Sequence, residues 1–238
     1  MKRKTLTSII FVSGLFCALY AIAQQEKTVR STYNGWTSHN LQGKVRELRL
    51  TSYPTDAKGR KLSEQAEGHK HQFAFSEQGD ELQYNIYDAS GKLLVKSVPT
   101  YINGRIGNTT NTDMATGQEE QWVMFNYLLD FYPQEAHCYI NNKLHKKVYN
   151  QVNAMGHLTH TRVVDNNDRP TYLRGMKYDA QENLVSISDT FKVLNNKDSI
   201  VQTTYRYMQS DSNHNWTLRL DRVNGRTLIT EREIIYYK

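Results

Sequence analysis

Short clusters of Asp, Asn and Gly punctuate this chain at close intervals, and they constrain its fold more than any other feature. They stand at Asp56-Ala57-Lys58-Gly59, Glu77-Gln78-Gly79, Asp88-Ala89-Ser90-Gly91, Asn153-Ala154-Met155-Gly156, Asp165-Asn166-Asn167-Asp168 and Asp179-Ala180-Gln181-Glu182-Asn183. Asn195-Asn196 and Asn224-Gly225 complete the series. These residue types accept the positive φ that hairpin turns require. Turn signals about every 8–12 residues argue for an antiparallel, all-β architecture. The runs between them agree. Tyr172, Arg174, Met176 and Tyr178 share one strand face, as do Val201, Thr203, Tyr205 and Tyr207. Trp216, Leu218 and Leu220 alternate with Thr217, Arg219 and Asp221, an apolar face over a polar one. Sixteen Tyr against four Pro suit pleated, half-buried surfaces.

One segment dissents. Thr116-Gly117-Gln118-Glu119 has the form of a helix capping box, and Trp122, Phe125, Leu128, Leu129 and Tyr132 follow at helical spacing before Pro133. The spacing predicts one helix near 117–131; a wholly buried strand is the competing reading.

Residues 1–23 read as a secretory signal peptide. Lys2, Arg3 and Lys4 form the basic start, Ile9 to Tyr20 the apolar stretch, and Ala21-Ile22-Ala23 the cleavage site. The apolar stretch is shorter than the roughly 20 residues that span a bilayer. Phe16 stands where a lipid-attachment motif before Cys17 would need a small residue. Residues 24–238 then form a single β-repeat domain, with a subdivision near 103–133 and no transmembrane segment after cleavage. Losing Lys2, Arg3 and Lys4 takes the formal net charge from +6 to +3. That balance, with Lys143, His145, Lys146 and Lys147 as the only dense basic cluster, gives no nucleic-acid footprint. The cysteine left, Cys138, has no internal partner and reads as a small buried hydrophobe.

Aligned on the turns, a weak repeat emerges. Tyr87-Asp88-Ala89-Ser90-Gly91-Lys92-Leu93-Leu94 is its best copy and Tyr178-Asp179-Ala180-Gln181-Glu182-Asn183-Leu184-Val185 the next. In physical terms Asp88 and Asp179 close the turn, Gly91 or Asn183 takes the left-handed residue, and Tyr87 and Tyr178 lie on the sheet face. The unit resembles the YD repeat of RHS-type proteins, and the tail from Asn215 to Tyr237 resembles short exported proteins of this kind from Bacteroides-like bacteria. The resemblance implies hairpins laid side by side. Long proteins of that class enclose a cargo; the length of this chain argues against closing such a shell. The expected fold is therefore an antiparallel meander of hairpin repeats forming an extended or curved sheet.

Catalytic motifs are missing from the sequence: there is no Gly-x-Ser-x-Gly, no phosphate loop and no His-Glu-x-x-His. No cofactor and no metal site is expected; His69-x-His71 and His157-x-x-His160 read as solvated histidines. Glu119, Glu120, Asp130 and Glu135 lie near aromatics and could supply a glycosidase-like acid pair only through the fold. Trp36, with Tyr33 beside it in the polar setting Tyr33-Asn34-Gly35-Trp36, is the expected exposed aromatic platform. The leading expectation is an exported, non-enzymatic scaffold or binding protein of a Gram-negative envelope, periplasmic or at the cell surface. Its partner would be an envelope protein or a glycan, reached by strand addition at an open sheet edge. A carbohydrate-binding module and an envelope hydrolase are the alternatives.

Overall fold

The computed structural model describes residues 34–56, 58–128, 132–192 and 197–238. The leader (1–23), Tyr33, Asp130 and the turn at Asn195-Asn196 lie outside them. One helical turn, α1 (Gly35–Ser38), precedes β1 (Val45–Pro54), β2 (Lys70–Phe75), β3 (Glu81–Tyr87), β4 (Leu93–Ile102) and β5 (Arg105–Asp113). Then follow β6 (Glu119–Leu128), β7 (Tyr132–Ile140), β8 (Lys143–Val152), β9 (Leu158–Asp165), β10 (Pro170–Tyr178), β11 (Leu184–Phe191), β12 (Ser199–Ser210), β13 (Trp216–Val223) and β14 (Arg226–Tyr236). Every strand pairs antiparallel with its sequence neighbours, and β14 returns to pair with β1, with Leu48 opposite Ile234 and Leu50 opposite Arg232. The result is a closed up-and-down barrel of 14 strands.

Closure overturns the expected extended or curved sheet. An open meander would leave the backbone groups of β1 and β14 unpaired, and closure alone removes both edges. It also overturns the argument that the chain is too short to enclose a space, and it removes the edge that strand addition would use. The helix near 117–131 is corrected too: residues 119–128 are β6, with Trp122 opposite Thr109 on β5 and Cys138 on β7. Thr116 caps no helix. It lies in the β5–β6 turn, where its backbone N–H and hydroxyl both donate to Asp113 Oδ1. Both faces of β6 carry large side chains, so its apolar residues mimic a helical stripe.

The turns repeat more faithfully than the strands. At Asp56, Ser76, Asp88, Asn153, Asp165, Asp179 and Asp211 the backbone N–H bonds the carbonyl four residues on, and the carbonyl accepts from the residue three on. The side-chain oxygen of each also accepts the N–H four residues on, as Asp88 does from Lys92 and Asp179 from Asn183. The fourth residue takes positive φ, whether it is Gly91 (93°) or Glu182 (64°). In the Asp179 turn the left-handed residue is thus Glu182 rather than the expected Asn183. Two-residue turns at Asn103-Gly104, Asn141-Asn142 and Asn224-Gly225 have both residues at positive φ.

The tyrosines of the two best copies do not correspond. The Asp88 and Asp179 turns close opposite ends of the barrel, because β3 and β10 run in opposite directions. Tyr87 donates to Gln72 Oε1 (2.6 Å), whereas Tyr178 donates to the carbonyl of Leu158 (2.9 Å). The latter contact recurs from Tyr101 to Glu81, Tyr127 to Ile106 and Tyr207 to Leu184. In each, a tyrosine on the second strand of a hairpin ties down the start of the first. Four of the sixteen tyrosines thus hold hairpins together.

The two wall faces differ. Arg49, Lys177, Arg206 and Glu233 are exposed, and each flanks a residue of the barrel interior: Leu48 and Leu50, Met176 and Tyr178, Tyr207, and Arg232. The outer wall thus carries charge on β1, β10, β12 and β14. Inside, a small apolar core of Leu41, Val45, Leu48, Phe73 and Phe75 sits at the end where β1 begins. The segment carrying α1 packs against that core through Trp36. Asn34 caps the turn, with Oδ1 accepting from Thr37 N and Thr37 Oγ1 accepting from Asn34 N. A Cβ on Gly35 would stand 2.8 Å from Gly79 O, so only glycine permits this approach to the β2–β3 turn.

Candidate functional site

A 14-stranded barrel encloses more space than one layer of aliphatic side chains fills. This chain fills it largely with arginine and aromatic residues. On β10 and β11, Arg174 donates from Nε and Nη2 to Asp189 (2.7 and 3.2 Å), and Tyr172 donates to the same carboxylate at 2.5 Å. On β13, Arg219 pairs with Asp221 through Nε and Nη2 (2.6 and 2.9 Å), and Thr230 on β14 donates to Asp221 at 2.7 Å. The Arg219 guanidinium lies over the rings of Tyr205 (4.1 Å) and Trp216 (4.6 Å). Burial pushes the Tyr205 hydroxyl up to about 12.

Arg232 on β14 differs from these two. It is 5% exposed, its Nη2 donates to the backbone carbonyl of His39 at 2.7 Å, and its guanidinium lies 4.5 Å from the Trp216 ring centre. Its Nε and Nη1 have no hydrogen-bond partner, and no carboxylate pairs with it among the described residues. Burial first, and then the Arg219 charge, lower its pKa to about 10. It remains a cation at neutral pH; Asp211 is the carboxylate that acts on it, without a direct contact. Buried groups in this state are costly and call for an explanation.

The space beside it supplies one. A cavity of about 420 Å³ lies between α1 and the barrel wall, bounded by Leu48 and Leu50 of β1, Met176 of β10, Leu184 and Ile187 of β11 and Trp216 of β13, with Arg174, Arg219 and Arg232 on its polar side. At its rim His157 meets Glu182 at 2.9 Å and stacks on Tyr178 with ring centres 4.8 Å apart. His39, on the α1 side, approaches Glu81 at 3.2 Å and packs on Phe73 at 4.2 Å. The volume is in the range of small-molecule sites.

The residues singled out from sequence are placed elsewhere or otherwise. Trp36, expected as an exposed platform, is half-buried: its indole packs against the apolar core, and Nε1 donates to Val45 O at 2.6 Å. A tryptophan beside a turn reads as exposed only until a core forms against it. Asp88 and Gly91, with Asp179 and Asn183, serve the turns. Among the described residues of the repeat and the platform Tyr178 lines the cavity, and of the two histidine pairs His157 does. His71 bonds Tyr84 at 2.7 Å instead of facing water, and His160 lines a groove on the outer wall, away from His157. Among the described residues no three His, Cys, Asp or Glu converge as a metal requires. Glu120 meets Lys146 and Glu135 meets His137. Cys138 is fully buried, and burial, reinforced by Glu120, pushes its thiol up to about 11. Arg174 keeps the face that spacing gives it with Met176 and Tyr178, whereas alternation on β13, an apolar face over a polar one, hides Arg219. The structure turns Arg219 and Asp221 inward and sets Leu220 outside, against Gly59 of the β1–β2 loop. One signal was available: Glu231-Arg232-Glu233 puts charge on both faces of a strand, so one face of any barrel must bury some of it.

No family model matches the chain, and no curated protein matches it. Among solved structures, a LolA superfamily protein from Nitrosomonas europaea is 8% identical, covering 83% of this chain and 87% of that one at a TM-score of 0.27. The Photorhabdus luminescens Tc holotoxin pore is 14% identical, covering 75% of this chain and 9% of that one at a TM-score of 0.25. A porin-like protein from Bacteroides uniformis is 11% identical, covering 80% of this chain and 98% of that one at a TM-score of 0.50. With that porin-like protein the chain shares a fold.

Proposed function

We propose that this chain is an exported, non-enzymatic binding protein of the cell envelope that holds a small molecule inside its barrel. The buried, unpartnered N–H groups of Arg232 beside a cavity with Leu48, Leu50, Met176, Leu184 and Ile187 along one side carry the reading. A barrel that only braced other proteins would gain nothing from a desolvated charge aimed at empty space. The residue 1–23 pattern supports export to the periplasm or the surface. The outer wall supports a barrel that stands in water. Each Arg or Lys on a lipid-facing wall costs about 2–4 kcal/mol at mid-membrane, and Arg49, Lys177 and Arg206 all point outward. On this reading the chain is a short relative of the exported repeat proteins it resembles, closed on itself.

The test is native mass spectrometry of the exported chain recovered without denaturant. The expected spectrum shows a small molecule bound to the native chain and absent from Met176→Trp, which narrows the cavity. A bare polypeptide mass, together with no saturable thermal shift across sugars, peptides and amphiphiles, would remove the proposal.

A further inference from the structure

We infer that the cavity takes a singly charged anion with an apolar body, an alkyl or aryl carboxylate, with Arg232 as its counter-ion. The inference rests on the binding role proposed above and names the ligand class of the same site. Charge arithmetic carries it. Arg174 and Arg219 each have their charge met by a two-bond contact with Asp189 and Asp221. Arg232 has no such carboxylate, and its buried Nε and Nη1 carry three N–H groups without a partner. One free positive charge matches one negative charge. A doubly charged head group would bring a second charge with no cation left to meet it, since Asp189 and Asp221 hold Arg174 and Arg219, Glu182 stands at the rim and Asp211 already acts on Arg232. The rest of the wall fixes the remainder of the ligand. Leu48, Leu50, Met176, Leu184, Ile187 and the Trp216 ring give a hydrocarbon its apolar contact, while Ser38, Asn40 and Tyr207 add polar groups elsewhere on the lining. Glu182 and His157 already satisfy each other at the rim, so they mark the entrance without adding a second anion site.

The probe is dodecanoate, compared by titration calorimetry with dodecanol, acetate and dodecyl phosphate on the full exported chain after delipidation. Dodecanoate is expected to bind at least about tenfold tighter than dodecanol, as a charge-assisted contact requires. Acetate is expected not to bind measurably, and dodecyl phosphate to bind more weakly than dodecanoate at a pH where it is doubly charged. In Arg232→Met the preference of dodecanoate over dodecanol is expected to vanish while dodecanol binding survives; Arg232→Lys retains part of the preference. Circular dichroism of both variants verifies the barrel, and Arg232→Lys keeps the test open if Arg232→Met does not fold. Equal binding of dodecanoate and dodecanol, or a preference that persists in both variants, overturns the inference. If neither amphiphile binds but the native chain still carries another ligand lost in Met176→Trp, the ligand class is wrong and the binding role stands. If no ligand is found by either route, both fall.

Discussion

Replacing Asp221 with Asn should destabilise the barrel far more than removing any charge from its outer wall. Asp221 is 7% exposed and accepts both Arg219 contacts and the Thr230 hydroxyl. Asparagine keeps the shape and removes the charge. Arg219 and Arg232 would then face the same Trp216 ring, at 4.6 and 4.5 Å, with no anion between them. Breaking a buried pair from one side costs about 3–5 kcal/mol. For a domain of this size each kcal/mol moves the midpoint by about 2–4 °C, so thermal unfolding should fall by about 6–20 °C. Far-UV circular dichroism and tryptophan emission, followed together, measure the shift and test whether the transition is two-state. Glu233→Gln is the control. It breaks the Arg49 pair, whose side chains are 45% and 60% exposed, and should cost no more than about 1 kcal/mol. Removing both partners, in Arg219→Met/Asp221→Leu, should recover most of the loss, since apolar replacements of a buried pair are often neutral. A loss in Asp221→Asn no larger than in Glu233→Gln would refute the account of the interior as a ladder of desolvated ion pairs.

Three further outcomes follow from the turns and the tyrosines. Turn hydrogen bonds hold several carboxyls below the ordinary 3.8, led by the Arg60 N–H at Asp56, the Ser90 hydroxyl at Asp88, the Thr116 N–H at Asp113 and the Arg169 guanidinium at Asp165. Their contribution is complete above 3.8 and disappears as pH falls through the lowered values, so urea midpoints should drop below pH 4, and Asp88→Asn/Asp165→Asn should flatten that drop. Tyr207→Phe, which removes the bond to Leu184 O, should cost about 1 kcal/mol in urea unfolding and leave the far-UV spectrum unchanged. Gly79→Ala should unseat α1: its φ is +88°, and an added Cβ would meet Asn34 Nδ2 at 2.2 Å and the Trp36 ring at 2.7 Å. Trp36 emission should shift to the red and the midpoint should fall.

The hairpins were legible in the sequence because their determinants are local. An Asp at the first turn position and a Gly or Asn three or four residues later specify a turn wherever they occur, and the Asp88, Asp165 and Asp179 turns form where the spacing placed them. The helix near 117–131 failed for a matching reason: Trp122, Phe125 and Leu128 fit a helical stripe and a two-faced strand alike, and only pairing with β5 and β7 decides. Closure was illegible because it depends on Leu48 meeting Ile234, a contact that neither segment announces. The cavity was hidden by the same ignorance. Whether Arg219 or Leu220 points inward follows from which face the barrel encloses, and period-two alternation is silent on that.

The seam between the first and final strands also sets an order of events. While residues 226–236 are still emerging from a ribosome or a translocation pore, β1 is a bare edge of ten residues with its partner missing. The thirteen preceding hairpin partners can zip locally, but the interior stays wet, and its arginines stay hydrated, until the last segment arrives. Such long-range closure is intrinsically slow, so the half-finished sheet is the species most exposed to sticking to its neighbours. Pairing of β14 with β1 is therefore the step that finishes the barrel, and β14 times folding as much as it serves as a piece of wall.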